Sequence, residues 1–209
     1  MKAIILSISA ILIIIIIAVL FFRSQYKIQW KCLHTKEYTT IDIQPFSDLN
    51  PQYSTYVYEQ LKKNYPNVRL LNAIDLPSNA YIHNRNRYRA DTLIRILKSY
   101  TVDKHVTIGL TSRDISSSKG KHNDWGVMGL GYCPGKACVA STYRLDKRNR
   151  KQQFFKVSIH ELGHTLGLNH CTIRWCYMRD AKGKNPINEE DNFCSNCKKI
   201  LQEKGWVLN

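Results

Sequence analysis

HELGHTLGLNH, residues 160–170, lies in a segment whose apolar periodicity predicts a helix over Phe154–Leu168. In such a helix, positions i and i+4 sit about one turn apart. His160 and His164 therefore share a face and can reach one ion, with Glu161 projecting beside it. Gly167 allows the positive φ at which a helix can end, so the chain can turn and bring His170 back as a third ligand. Three neutral imidazoles leave one position of a tetrahedral zinc open to water. Zinc lowers the pKa of such water to about 7, and Glu161 is placed to take its proton and later deliver it to a leaving amine. An HExxH pair alone also arises in ordinary helices; the glycine and the third histidine are what make the longer run selective.

Four cysteines follow at once. Cys171 and Cys176 form a Cx4C and Cys194 and Cys197 a CxxC, with 17 residues between the pairs. Four thiolates saturate a tetrahedral zinc, so this ion would pin the chain after His170 to the last helix without taking part in chemistry. Two disulfides are the alternative that an exported domain would permit. The CxxC at a helix start, next to a metal-binding helix, favours zinc. Met178 falls between the pairs, where it can floor the catalytic site or serve as an ordinary core residue.

HELGHTLGLNH, CTIRWC, Met178 and CSNC together resemble the archaemetzincin signature, over roughly residues 105–206. The resemblance implies a zincin of the metzincin clan: an α/β (α+β) domain with a mixed sheet, an active-site helix and a small C-terminal helical part. It implies that His160, His164 and His170 hold a catalytic zinc, that Glu161 is the acid/base and that Met178 forms the turn beneath the metal. It further implies that Cys171, Cys176, Cys194 and Cys197 hold a structural zinc, giving two zinc ions per chain. The implied activity is a zinc metallopeptidase of restricted specificity acting on peptide or protein substrates. A catalytically silent, zinc-stabilised peptide-binding module is the competing class; the intact Glu161 and the open ligand position weigh against it.

Outward from the motif, Tyr38–Gln44 alternates Ile41 and Ile43 and predicts a strand. Asn50 and Pro51 signal a helix start, and Tyr53, Val57 and Leu61 recur at helical spacing before Pro66. Asn67–Leu76 predicts a strand, Asp91 a cap for a helix reaching Tyr100, and Val106–Leu110 an inner strand. The polar stretch Ser112–Gly126 predicts a mobile loop, and Gly126–Gly131 an edge strand whose bare glycine backbone receives an extended peptide. Cys133–Cys138 bracket a turn leading into a returning strand, and Asp191–Lys204 predicts the last helix, closed by Gly205.

At 209 residues and 24.3 kDa, the chain holds one catalytic domain and an extra segment. That segment is Ala3–Phe22, apolar except for Ser7 and Ser9. Twenty residues is long for a signal core, and no small-x-small cleavage pattern lies near Phe22. The preferred reading for residues 1–22 is a single-pass membrane anchor with the domain facing outwards, a cleaved export signal being the alternative. A tether over 23–36 and a peptidase domain over 37–209 follow. The net charge of +15 is scattered from Lys27 to Lys204, and no arginine and aromatic cluster accompanies the CxxC, so nucleic acid is not an expected partner and a monomer is expected. His34, His83, His105 and His122 lack ligand spacing. Cys133 and Cys138 could pair outside the cell or remain thiols inside it, and Cys32 has no evident partner.

Overall fold

The computed structural model describes residues 39–182 and 185–208. The apolar run 1–22, the tether 23–36, Cys32 and His34 lie outside the described residues; among the described ones, no helix is long and apolar enough to cross a membrane. Tyr38–Asn209 clusters as one compact unit.

Five strands form the main sheet, in the order β2 (Val68–Leu70), β1 (Thr40–Pro45), β5 (His105–Thr111), β9 (Ala137–Ser141) and β8 (Gly129–Gly131). The first four are parallel and β8 pairs antiparallel with β9, so the sheet is mixed and β8 is an edge. A second sheet runs β3 (Tyr81–Ile82), β4 (Arg87–Arg89), β6 (Ile115–Lys119) and β7 (His122–Val127). Among the described residues there are four α-helices: α1 (Pro51–Asn64), α2 (Ala90–Tyr100), α3 (Arg150–Thr165) and α4 (Ser195–Glu203).

Strand alternation assigns the helices to faces. Val106, Ile108 and Leu110 of β5 pack with Val57 and Leu61 of α1 and Phe154 of α3. Val139 of β9 packs on the opposite side with Leu93, Ile94 and Leu97 of α2. Parallel strands covered on both faces read as nearly continuous apolar runs, and β1 and β5 are buried along almost their whole length. Gly109 makes the α2 contact possible, since a Cβ there would lie 2.6 Å from Leu97 Cδ1.

The strand at Tyr38–Gln44, the helix begun by Asn50, the inner strand and the active-site helix fall where the sequence predicts them, with Asn50 accepting a hydrogen bond from Gln52 N at 3.0 Å. Five expectations are corrected. Asn67–Leu76 is a strand only to Leu70, because the Asn72 carbonyl is taken by Gln44 Nε2 at 2.6 Å instead of a ladder partner. Asp91 lies inside the first turn of α2, behind an N-cap at Arg89, and its carboxylate accepts from Arg89, Ser117 and Tyr132. Ser112–Gly126 contains the β6–β7 hairpin; Ser117 is buried because Asp91 accepts from it, so polarity there does not mean exposure. Gly126–Gly131 is two strands in two sheets, parted at Met128. The last helix begins at Ser195, because Asp191 and Asn192 are tied by backbone hydrogen bonds to Trp175 and Tyr177.

At the edge of the main sheet, buried Asp42 accepts from Arg69 Nε and Nη2 at 2.7 and 2.9 Å, and from His105 Nδ1 at 2.7 Å. Burial alone would raise its pKa, but these donors outweigh burial and hold it below the usual carboxylate value. A lowered folded-state pKa lends stability that is present above the unfolded value and lost as pH falls through the folded one. Asp42→Asn is expected to cost about 2 kcal/mol at pH 7, with the gap from the parent closing towards pH 3 in denaturant unfolding. An equal gap at both pH values would show that the ionised pair is not its source.

Candidate active site

The last turn of α3 sets the site. Gly167 has φ +93°, its N–H donates to His164 O at 2.8 Å, and Leu168 N–H donates to Gly163 O at 2.9 Å. This is a Schellman ending, and it reverses the chain so that His170 returns over the helix. The three imidazoles converge, with ring centroids 4.7 Å (His160–His164), 4.7 Å (His164–His170) and 5.5 Å (His160–His170) apart.

Hydrogen bonding fixes which nitrogens face inward. His160 Nδ1 lies 2.6 Å from Tyr177 O and His164 Nδ1 lies 2.8 Å from Leu168 O. A carbonyl only accepts, so both Nδ1 atoms carry protons and both Nε2 atoms present lone pairs. Those two Nε2 atoms stand 3.1 Å apart. Burial, then the neighbouring His164, lowers His160 to about 4, and burial lowers His164 as well, so neither supplies a proton to relieve the repulsion. A cation bound between them would relieve it. Zinc–nitrogen bonds of about 2.0–2.1 Å in a tetrahedron separate ligand atoms by roughly 3.4 Å, close to what is seen.

Glu161 is only 8% exposed, and burial pushes it up to about 8 although Gly131 N–H donates to it. It lies against β8, and that contact explains the glycines of the strand. A Cβ on Gly129 would meet Glu161 Cγ and Oε1 at 2.6 Å, and one on Gly131 would meet Glu161 O at 2.6 Å. The intervening Leu130 faces the α2 side. The glycines thus make room for the carboxylate, a reason for glycine at these positions that the sequence reading does not give. Met178 is fully buried below the helix, against Gly163, where a Cβ would collide with its sulfur.

The four cysteine sulfurs form a second cluster with all Sγ atoms within 4.8 Å of one another. Cys171 and Cys194 sulfurs are 3.6 Å apart and Cys176 and Cys197 sulfurs 3.8 Å, far beyond a disulfide bond of about 2.05 Å. Tetrahedral zinc with bonds of about 2.3 Å places sulfurs about 3.8 Å apart. Backbone N–H groups of Ile173 and Cys194 donate to the sulfurs of Cys171 and Cys176, as suits thiolates. Burial pushes Cys176 up to about 11, and burial with the facing thiols raises Cys197 as well, so ionising these two calls for a cation, whereas, against burial, hydrogen bonds from Cys197 and the other thiols lower Cys194.

A model of peptidase family M54 matches residues 42–203. The chain belongs to peptidase family M54. Archaemetzincins of Haloquadratum walsbyi and Halobacterium salinarum are 30% and 31% identical to it, each over 77% of this chain and 98% of the relative. The crystal structure of archaemetzincin from Methanopyrus kandleri superposes with a TM-score of 0.67 at 28% identity, covering 80% of this chain and 96% of that one. That of archaemetzincin from Archaeoglobus fulgidus, complexed with malonate, gives 0.66 at 29% identity, covering 78% and 99%. This archaemetzincin-family chain is therefore a zinc metallopeptidase.

In this M54 enzyme the structure brings together every histidine and cysteine singled out as a ligand, in the two sets expected. His83, His105 and His122 stand in neither set. Cys133 and Cys138 are separate free thiols: Cys138 is buried in β9, and Cys133 donates to Leu168 O at 3.3 Å, the carbonyl that also orients His164. Tyr177 and Leu168, whose carbonyls orient the histidines, carry no sequence signal of their own, because backbone atoms do this work. The Glu161–Gly129 contact gives a direct check. Gly129→Ala should displace the carboxylate and lower peptide hydrolysis about a hundredfold while total bound metal stays at the parent level. Unchanged turnover would show that the glycine is not needed for Glu161.

Proposed function

We propose that the protein hydrolyses peptide bonds of extended segments lying in the cleft beside α3, with Glu161 as the proton carrier. His160, His164 and His170 would hold the catalytic zinc, and Cys171, Cys176, Cys194 and Cys197 a second, structural one, making two per chain. The observation that carries this reading is the pair of Nε2 lone pairs 3.1 Å apart beside a buried carboxyl. When bound there, zinc supplies Lewis acidity, which polarises a scissile carbonyl and acidifies water.

The chain's own groups supply the rest. Tyr177 O and Leu168 O hold the two imidazoles in the tautomer that presents Nε2. Glu161 accepts a proton from the attacking water and passes it to the departing amine. Burial raises this carboxyl above the usual carboxylate value, in the direction that suits proton transfer near neutral pH. The open side of β8 borders the cleft, where an extended substrate can add as a strand. A cleft of about 460 Å³ supports selection of short extended segments, hence restricted specificity.

Glu161→Gln separates turnover from binding. Zinc content and stability should stay near those of the parent while hydrolysis falls at least about a hundredfold; His164→Ala should instead lose the catalytic zinc. Equal cleavage by parent and Glu161→Gln would contradict the mechanism. Peptide binding without cleavage by either, across a broad library, would favour the silent binding module.

A further inference from the structure

Two acids that the proposed chemistry does not use line the cleft: Asp180, which is exposed, and Glu190, which is buried. Glu190, 4% exposed, lines it together with His160 and Glu161. Among the described residues, none gives its carboxylate a hydrogen bond or an ion pair. Burial pushes it up to about 7, and the nearby charges of Lys156 and Arg179, which pull the other way, do not cancel that effect. Lys156 and Arg179, the cations that act on it, bond to acceptors other than its carboxylate, and Lys119 and Lys182 also line the cleft. Lys156 Nζ donates to the backbone carbonyls of Ile187 and Glu190, and Arg179 Nη1 donates to Glu189 Oε2 at 2.6 Å and to Arg174 O at 3.3 Å. Arg144 makes a two-pronged pair with Asp114 at 2.8 and 2.9 Å.

A buried carboxylate without a counterion is costly unless a ligand supplies one. The cleft that Glu190 and His160 line is partly apolar, from Val157, Ile187 and Met128. A cleft with apolar walls and a buried acid in its lining matches a side chain with an alkyl stem and a cationic tip. We propose that Glu190 is a specificity-determining residue that receives a lysine or arginine side chain of the substrate close to the scissile bond. This rests on the cleft being the substrate site proposed above.

The test compares four residues, lysine, arginine, norleucine and glutamate, placed in turn at each of the three positions on either side of the scissile bond of a fluorogenic peptide. Norleucine keeps the stem and removes the charge. In the zinc-loaded full chain, kcat/KM for lysine or arginine should exceed that for norleucine by about thirtyfold or more at one position. Glu190→Gln should abolish that preference, mainly through KM, while leaving norleucine peptides within about threefold. Binding is read separately, by fluorescence anisotropy of the same peptides on Glu161→Gln and on Glu161→Gln/Glu190→Gln. Lysine preference in the first and its loss in the second supports the assignment even if the parent proves inactive, an outcome that would overturn only the hydrolytic reading. Cleavage with no preference for a basic residue, a preference for glutamate, or a basic preference that survives Glu190→Gln would overturn the assignment while leaving hydrolysis intact.

Discussion

The site depends on a covalent constraint: the last histidine of one cluster, His170, is bonded directly to the first cysteine of the other, Cys171. That junction is fixed in turn by Cys171 N–H donating to Met178 O at 2.7 Å, beside the Tyr177 carbonyl that orients His160. The single stretch Tyr177–Met178 therefore serves both clusters, its first carbonyl holding His160 and its second holding Cys171. Short loops with few apolar contacts are the least stable parts of a fold. Here the loop from Cys171 to Cys176 takes its order from four sulfurs and from the Trp175 carbonyl, which accepts from Asp191 N–H at 3.0 Å. A closed metal site that orders this loop would also fix the third ligand of the open one.

The second organising contact is between α3 and the sheet edge. Glu161 is buried against β8, a strand that has glycine at each of the two positions facing the helix. One stretch of chain thus shapes the space for the carboxylate on its inner side and borders the cleft with its free edge. Arg144 reinforces this border. It passes close to Gly126, where a side chain would collide with its guanidinium, and pairs with buried Asp114. The same Asp114 takes Arg87 at 3.1 Å, so the second sheet is held to the cleft rim by charge.

Much of this was legible in the sequence where local rules suffice. The histidine motif, the Gly167 ending and the Asn50 cap each depend on a few neighbouring residues, and all three appear as read. What escaped depends on distant partners. Ser117 and Asp91 look like a loop serine and a helix cap, and they become a buried pair only because β6 is brought to α2. The start of α4 was misplaced for a similar reason, since Asp191 and Asn192 belong to the cysteine loop. Glu190 gave no signal, because its neighbours Glu189 and Asp191 suggest a solvated acidic run until burial separates it from them.

Zinc K-edge X-ray absorption on the fully loaded chain tests the two-cluster account most directly, because it reads ligand chemistry and not only metal content. The account predicts two zinc ions per chain, one with sulfur neighbours at about 2.3 Å and one with nitrogen and oxygen neighbours at about 2.0–2.1 Å, in equal amounts. A single zinc with only nitrogen and oxygen neighbours, in a folded chain whose four cysteines are oxidised in pairs, would contradict it.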